Sequence, residues 1–168
     1  MDMNLRTLAV LFALAAAAAL SSPPAFPAGS DSNASSTPVK AVDPDYARAE
    51  KAIDAKDWPR AIDLLTKVVG RDDKNADAYN YLGYAERQRG NLEIAFKHYD
   101  RAVSLNPKHT GVREYLGEAY LLVGNLPKAE EQLAVLDKLC TASCEEYREL
   151  KEKITDYKQK HVAASKPS

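Results

Sequence analysis

The sequence contains few of the residue patterns that catalysis requires. Only two of its 168 residues are cysteines and three are histidines. The histidines are too scattered to form a metal-ligand pair on one helix face. A glycine-rich phosphate-binding loop and a Ser/His/Asp set on a strand–turn–helix frame are also missing. We therefore expect no enzyme, no catalytic residue, no cofactor and no metal site.

An excess of charge of either sign is absent as well. The chain has 23 basic and 24 acidic residues, a net charge of −1, and the two signs are mixed along the sequence. A basic stripe is the usual mark of a nucleic-acid-binding surface, and a long acidic run indicates an interaction tail. Neither occurs, so we do not expect a nucleic-acid partner.

The first hydrophobic run is too short to cross a membrane. It is LAVLFALAAAAAL at residues 8–20, whereas a spanning helix needs about 20 apolar residues. One arginine precedes the run, and small residues and prolines follow it, as in a secretory signal peptide. We assign residues 1–22 to such a peptide and predict export to the periplasm, with no permanent membrane span after cleavage. An uncleaved anchor is the alternative.

Residues 23–41, rich in Ser, Pro and Ala, are predicted to be a disordered leader.

A repeat of 34 residues dominates the remaining sequence. Its copies read AKDWPRA at 55–61, RGNLEIA at 89–95 and VGNLPKA at 123–129. A second segment keeps the same step, since YNYLGYA at 79–85 returns as REYLGEA at 113–119. Apolar residues between these segments recur at spacings of three and four, which is typical of amphipathic helices. A fixed period of this length indicates a stacked array of helical units.

These residues resemble three tetratricopeptide repeats (TPR), at residues 42–75, 76–109 and 110–143, the first of them degenerate. The resemblance implies an all-α, right-handed α-solenoid of helix–turn–helix units. The signature positions are Ala61 in the first unit, Leu82, Gly83, Ala95 and Pro107 in the second, and Leu116, Gly117 and Ala129 in the third. Five positions depart from the family pattern. In the first unit Arg48 replaces its leucine and Asp73 its proline; in the later units Glu86 replaces its tyrosine, Arg113 its leading aromatic residue and Thr141 its proline.

Small residues at the signature positions predict close helix contacts within each unit. We expect Gly83 to pack against Ala95, and Gly117 against Ala129. The open end of such a stack needs a cover, and residues 144–161 supply an amphipathic helix for it, with Tyr147, Leu150, Ile154 and Tyr157 on one face. Residues 162–168 are predicted to be a disordered tail.

The resemblance also implies a concave groove, lined by the first helix of each unit, that receives a peptide or protein segment. A non-catalytic adaptor is the function that follows. We expect Asn80 to hold a partner's backbone amide, Tyr84 to be free to stack, and Arg87 to meet a carboxylate. The alternative interpretation is that these three side chains are exposed helix residues without a binding role. The family positions that line the groove carry Tyr46, Glu50, Ile53, Asp77, Asn80, Tyr84, Arg87, Gln88, Glu114, Glu118, Leu121 and Leu122.

The two cysteines, Cys140 and Cys144, lie at the joint between the last repeat and the terminal helix. A spacing of four residues across a turn allows a disulfide, which an exporting pathway favours. The bridge would fix the terminal helix to the stack. Redox exchange and metal binding are the alternatives, and a thiol–disulfide-active accessory protein is the alternative function. The "LC…CEEY…L" ending also resembles that of small exported bacterial TPR proteins.

Overall fold

The computed structural model describes residues 43–140 and 144–164, with side chains up to residue 161. These residues form seven α-helices and contain no strand, which confirms the all-α prediction. The predicted signal peptide and leader lie outside the described residues. The helices are α1 (Pro44–Asp54), α2 (Trp58–Arg71), α3 (Ala76–Gln88), α4 (Leu92–Leu105), α5 (Thr110–Leu122), α6 (Leu126–Leu139) and α7 (Glu145–Ala164).

Most helices begin at a polar side chain that accepts a hydrogen bond from a first-turn N–H group. Asp43, Asp57, Asn75 and Asn125 act in this way for α1, α2, α3 and α6. Each cap satisfies an N–H group that the helix itself leaves without a partner. Asn91 differs: its side chain makes no cap hydrogen bond. Its Nδ2 group instead donates to Oε2 of the buried Glu86 on α3, at 2.6 Å.

The two clearest repeats share the same turn between their helices. Gly90 follows α3 with φ 83°, and Gly124 follows α5 with φ 74°. Both values lie in the left-handed region, which side chains with a Cβ atom rarely adopt. The turns are therefore short, and α3 packs directly on α4 as α5 packs on α6.

The apolar core runs continuously from one unit into the next. Each of its main clusters joins the second helix of a unit to the first helix of the following one. The buried members are Leu64, Leu65 and Val68 with Ala78 and Leu82, joined by Ala49 of α1; Ala95, Tyr99 and Ala102 with Val112, Leu116 and Ala119; and Ala129 and Leu136 with Leu150 and Ile154. Helix α7 thus packs on α6 as α5 packs on α4 and α3 packs on α2. It occupies the place of the first helix of a fourth unit.

The atoms nearest to the signature glycines belong to large side chains, which the sequence did not indicate. A Cβ atom on Gly83 would lie 2.5 Å from Tyr99, and one on Gly117 would lie 2.6 Å from Leu150. Both distances are shorter than carbon atoms tolerate. The missing Cβ atom of Gly83 therefore makes room for the ring of Tyr99, and that of Gly117 makes room for Leu150 of α7.

Helix α7 is longer than the sequence indicated. It continues to Ala164, past the boundary at residue 161 and into the segment predicted as a disordered tail. Leu150 and Ile154 are buried, at 0% and 4% exposure, as expected for its apolar face. No helix among the described residues is both long and apolar enough to cross a membrane.

Candidate functional site

The first helices of successive units lie side by side. Helix α3 contacts α5, and α5 contacts α7. The rings of Tyr46 on α1 and Tyr81 on α3 have centroids 5.9 Å apart. We call the face formed by α1, α3, α5 and α7 the first-helix surface. Two pockets with volumes of about 390 and 350 Å³ open between α3, α5 and α7 on this surface. A third, of about 280 Å³, lies between α5 and α7.

The pocket of about 390 Å³ lies between α3, α5 and α7 and is strongly acidic. We call it the acidic pocket. Its carboxyl groups belong to Glu114 of α5 and to Glu145, Glu146 and Glu149 of α7. Neither lysine nor arginine occurs among the described residues that line it. Four carboxyl groups thus share one recess, and His109 is the only basic side chain among the described residues of its wall.

Glu114 lies at the bottom of the acidic pocket and is only 5% exposed. Its burial, a hydrogen bond with Glu149 and the charges of Glu149, Glu118 and Glu146 together raise its pKa to about 9. A low-dielectric site with like charges nearby disfavours the ionised carboxylate. At neutral pH the Glu114 carboxyl group therefore retains its proton and can share it with Glu149.

Asn80 on α3 brings a buried acceptor to the same pocket. Its exposure is 4%, and its Oδ1 atom has no hydrogen-bond partner among the residues that the structure describes. A buried polar atom without a partner costs free energy, so such atoms are rare in folded proteins. The expectation that Asn80 would hold a partner's N–H group is compatible with this position.

The N-terminus of α5 forms one side of the pocket. The His109 Nδ1 atom accepts a hydrogen bond from the N–H group of Val112, and its Nε2 atom lies 2.9 Å from Oδ1 of Asp77. Thr110 donates a hydrogen bond of 2.7 Å to Oε1 of Glu146. These contacts tie α3 to α5 and α5 to α7 at one end of the first-helix surface.

Arg87 and Tyr84 are engaged within the chain itself. The Arg87 side chain is 7% exposed and forms an ion pair with Glu118. Its guanidinium carbon lies 5.3 Å from the ring centroid of Tyr84 and 5.5 Å from that of Tyr115. Tyr84 also contacts Trp58, with ring centroids 5.7 Å apart. The carboxylate expected to come from a partner is thus supplied by Glu118, and Tyr84 is not free to stack.

The other end of the first-helix surface is less acidic. Leu121 and the 61%-exposed Leu122 line the pocket of about 350 Å³, beside Lys153 and Lys160 of α7. Val123 follows with 49% exposure. At this end apolar side chains and amines accompany the carboxyl groups of Glu118 and Asp156, whereas the lining of the acidic pocket contains neither lysine nor arginine.

The remaining groove residues occupy the first-helix surface with different degrees of exposure. Asp77 and Gln88 are exposed, while Tyr46, Glu50 and Ile53 are half-buried. Burial raises the pKa of Tyr46 above its ordinary value, with further contributions from Asp77, Tyr81 and Glu50.

Sequence reasoning missed the contribution of α7 to the site. A signal was present, because Leu82, Leu116 and Leu150 follow one another at steps of 34 residues. That register places Glu149 where the earlier units have Tyr81 and Tyr115. Extending the repeat by half a unit would have assigned α7 to the first-helix surface rather than to a cover alone.

The structure brings Cys140 and Cys144 together at the junction of α6 and α7. Their Cα atoms are 5.4 Å apart, within the range of about 4.4–6.8 Å that a disulfide requires. The described residues contain no group of three or more His, Cys, Asp or Glu side chains arranged to hold a metal ion.

Comparison with known proteins identifies the repeat and its structural relatives. Two family models described as tetratricopeptide repeat match residues 46–110 and 86–154. The Yersinia enterocolitica type III secretion chaperone SycD, in complex with a peptide of the translocator YopD, is 18% identical at a TM-score of 0.60, covering 73% of this chain and 92% of that one. The TPR2B domain of yeast Sti1, in complex with pHsp70, is 17% identical at a TM-score of 0.64, covering 69% and 94%.

A third similar structure is the first TPR of Spaghetti (RPAP3) bound to an HSP90 peptide. It is 19% identical at a TM-score of 0.62, with 70% of this chain and 90% of that chain covered. At these identities the likeness concerns the fold. The matched repeats, the helix pairs and these structures agree, and the chain belongs to the tetratricopeptide repeat family.

Proposed function

We propose that this protein is a non-catalytic, exported scaffold that binds an extended segment of a protein partner on its first-helix surface. The observation that carries the proposal is the pair of unlike pockets on this surface, one acidic with an unpartnered Asn80 acceptor and one bordered by Leu122 and lysines. An extended segment has backbone N–H groups for such acceptors and side chains for such pockets. Similar structures hold peptides of YopD and HSP90, which supports a peptide ligand.

Site-specific photo-crosslinking tests this proposal. A photoreactive amino acid is placed at Asp77 or Leu122, both exposed on the first-helix surface. We expect these positions to crosslink a protein partner in cells, because a bound segment passes within reach of both. Gel shifts after irradiation measure the yield, and mass spectrometry of the adduct identifies the partner. Tyr84 and Arg87 are avoided, because replacing such engaged side chains would also loosen the fold.

Glu93 on α4 and Glu131 on α6 are the matched control positions. Both are exposed and lie on second helices. We expect several-fold lower crosslinking from them than from Asp77 and Leu122. Equal or higher yields at the control positions would place the partner on the opposite face and contradict the proposal.

We also propose that residues 1–22 direct export to the periplasm, and that Cys140 and Cys144 then form a structural bridge between the last repeat and α7. Intact-mass measurement on protein from the cell envelope tests both points. We expect a chain that lacks the leader, with two cysteines that resist alkylation until a reductant is added. A full-length mass would argue against cleavage, and immediate alkylation of both thiols would argue against the bridge.

A further inference from the structure

The acidic pocket has more acceptors than the protein itself uses. Oδ1 of Asn80 is buried without a partner in the described structure, and four carboxyl groups line the same pocket. Among these acceptors, Glu146 receives a hydrogen bond from the hydroxyl group of Thr110. Glu114 and Glu149 share one proton in a hydrogen bond between their carboxyl groups. The nearby cation Arg87 is already paired with Glu118. His109 also lines the pocket, but its ring nitrogens face the N–H group of Val112 and the carboxylate of Asp77. None of the described lining residues therefore supplies a positively charged group with several donors to the four carboxyl groups.

The walls of the pocket favour a flat cation. Tyr81 and Tyr115 line it together with the carboxyl groups. Aromatic faces attract cations, and a guanidinium also stacks on them through its planar surface. Its five N–H donors form a fixed fork that matches carboxylate oxygens, whereas an ammonium is a compact and strongly hydrated charge.

We propose that the acidic pocket binds the guanidinium of an arginine side chain in the partner segment. The carboxylates of Glu114 and Glu149 pair with the guanidinium, and Oδ1 of Asn80 accepts one of its N–H groups or the neighbouring backbone N–H. This inference rests on the proposed peptide-binding function and narrows it to partners with an arginine.

The energetic cost of this arrangement supports a role in binding. The buried Glu114 carboxyl group beside that of the exposed Glu149 opposes folding, and strongly perturbed groups of this kind cluster at functional sites. An arriving guanidinium would stabilise the ionised form of both carboxyl groups. Binding would then release the proton that Glu114 and Glu149 share.

Selection from a phage-displayed library of random dodecapeptides, on the immobilised full chain, is the first test. We expect the selected peptides to be enriched in arginine, and the enrichment to vanish on the Glu114→Gln/Glu149→Gln variant. Peptides selected without a basic residue would overturn the inference but leave the proposed function intact. Failure of the wild-type protein to select any peptide would count against both.

Fluorescence anisotropy then measures how much the guanidinium contributes to the affinity of a peptide. A selected peptide is compared with copies that carry lysine or citrulline at the arginine position, citrulline being a neutral group of nearly the same shape. We expect the citrulline copy to bind the wild-type protein at least about tenfold more weakly, because a charged hydrogen bond is lost. On the double variant we expect this ratio to fall to nearly one. Equal affinity of the lysine and arginine copies would overturn the choice of guanidinium.

Two further variants separate a binding role from a folding role. Glu149→Gln alone changes an exposed side chain, so it leaves the core intact, and we expect it to reduce the preference for arginine. Glu93→Gln/Glu131→Gln removes the same number of carboxylates from exposed positions on second helices. We expect this control to keep the full preference. Loss of the preference in the control, or its survival in Glu149→Gln and in the double variant, would overturn the inference.

Discussion

Replacing Leu150 with alanine is expected to lower the free energy of unfolding by about 2–5 kcal/mol, the range for large-to-small core substitutions. Leu150 is 0% exposed and lies in the space that a Cβ atom on Gly117 would occupy. Alanine would leave a cavity between α5 and α7 that rigid helices cannot close. Urea unfolding followed by circular dichroism measures the change.

The same substitution is expected to release α7 before the rest of the stack. In an array each unit contacts only its neighbours, so a terminal element opens first when its interface weakens. Hydrogen exchange should therefore show the largest loss of protection in Glu145–Ala164. Glu152→Ala, at an exposed position of the same helix, is the control and should change stability by less than about 0.5 kcal/mol. Equal effects of the two substitutions would contradict the packing of Leu150 described above.

Replacing Glu114 with glutamine is expected to stabilise the protein at pH 8, by up to about 5 kcal/mol, since a tenfold change in proton affinity corresponds to about 1.4 kcal/mol. Burial first, and then Glu149 and the neighbouring carboxylates, raise the pKa of Glu114 to about 9, from an ordinary value of 4.5. Between these two pH values the folded protein binds a proton that the unfolded chain does not. The contribution of Glu114 to the stability of the wild-type protein therefore falls as pH rises from about 4.5 toward 9. Glutamine carries no ionisable proton and removes this dependence.

Urea unfolding at several pH values between 4 and 9 measures the effect. The wild-type and Glu114→Gln curves should converge near pH 4, where the glutamate is protonated in both states, and separate as pH rises. Glu131→Gln, an exposed change at the Lys128 ion pair, should leave the pH dependence as it is in the wild type. If the free energy of unfolding has the same pH dependence between pH 6 and 8 in the wild-type protein and in Glu114→Gln, the raised pKa of Glu114 is refuted.

Together with the peptide measurements, Glu114→Gln distinguishes two roles of one residue. A purely structural carboxyl group should, when replaced, change stability alone. The acidic pocket predicts a variant that is more stable and binds an arginine peptide less well. Opposite effects on stability and on binding are expected where a binding site keeps groups that lower the stability of the fold.

The helices were predictable because their signals are local. Asp43 and Asn125 precede their helices as capping residues should, and Gly90 and Gly124 take the positive φ that a short turn needs. The 34-residue step then implied stacking, since a unit with one apolar face must bury it on a neighbour. These inferences needed only the neighbouring residues and the period.

The site was less predictable because it depends on which first helices meet. The repeat assigned the groove positions to the first helices, but the side chains that contact them come from other units. Arg87 was expected to be available, whereas Glu118, 31 positions later, pairs with it. Glu149 was not considered at all, because α7 was interpreted as a cover and not as a surface-forming helix.

The sequence by itself determined the helices, their turns and the stacked order of the repeats, because caps, glycines and apolar spacing act over a few residues. Only the tertiary structure decided that Leu150 fills the space beside Gly117 and that Arg87 forms an ion pair with Glu118. It also decided that Glu114 contacts Glu149 in the pocket that Asn80 lines with its unpartnered Oδ1 atom. Hydrogen bonds and charges act over a few ångströms, so these properties arise only where folding brings distant residues into contact.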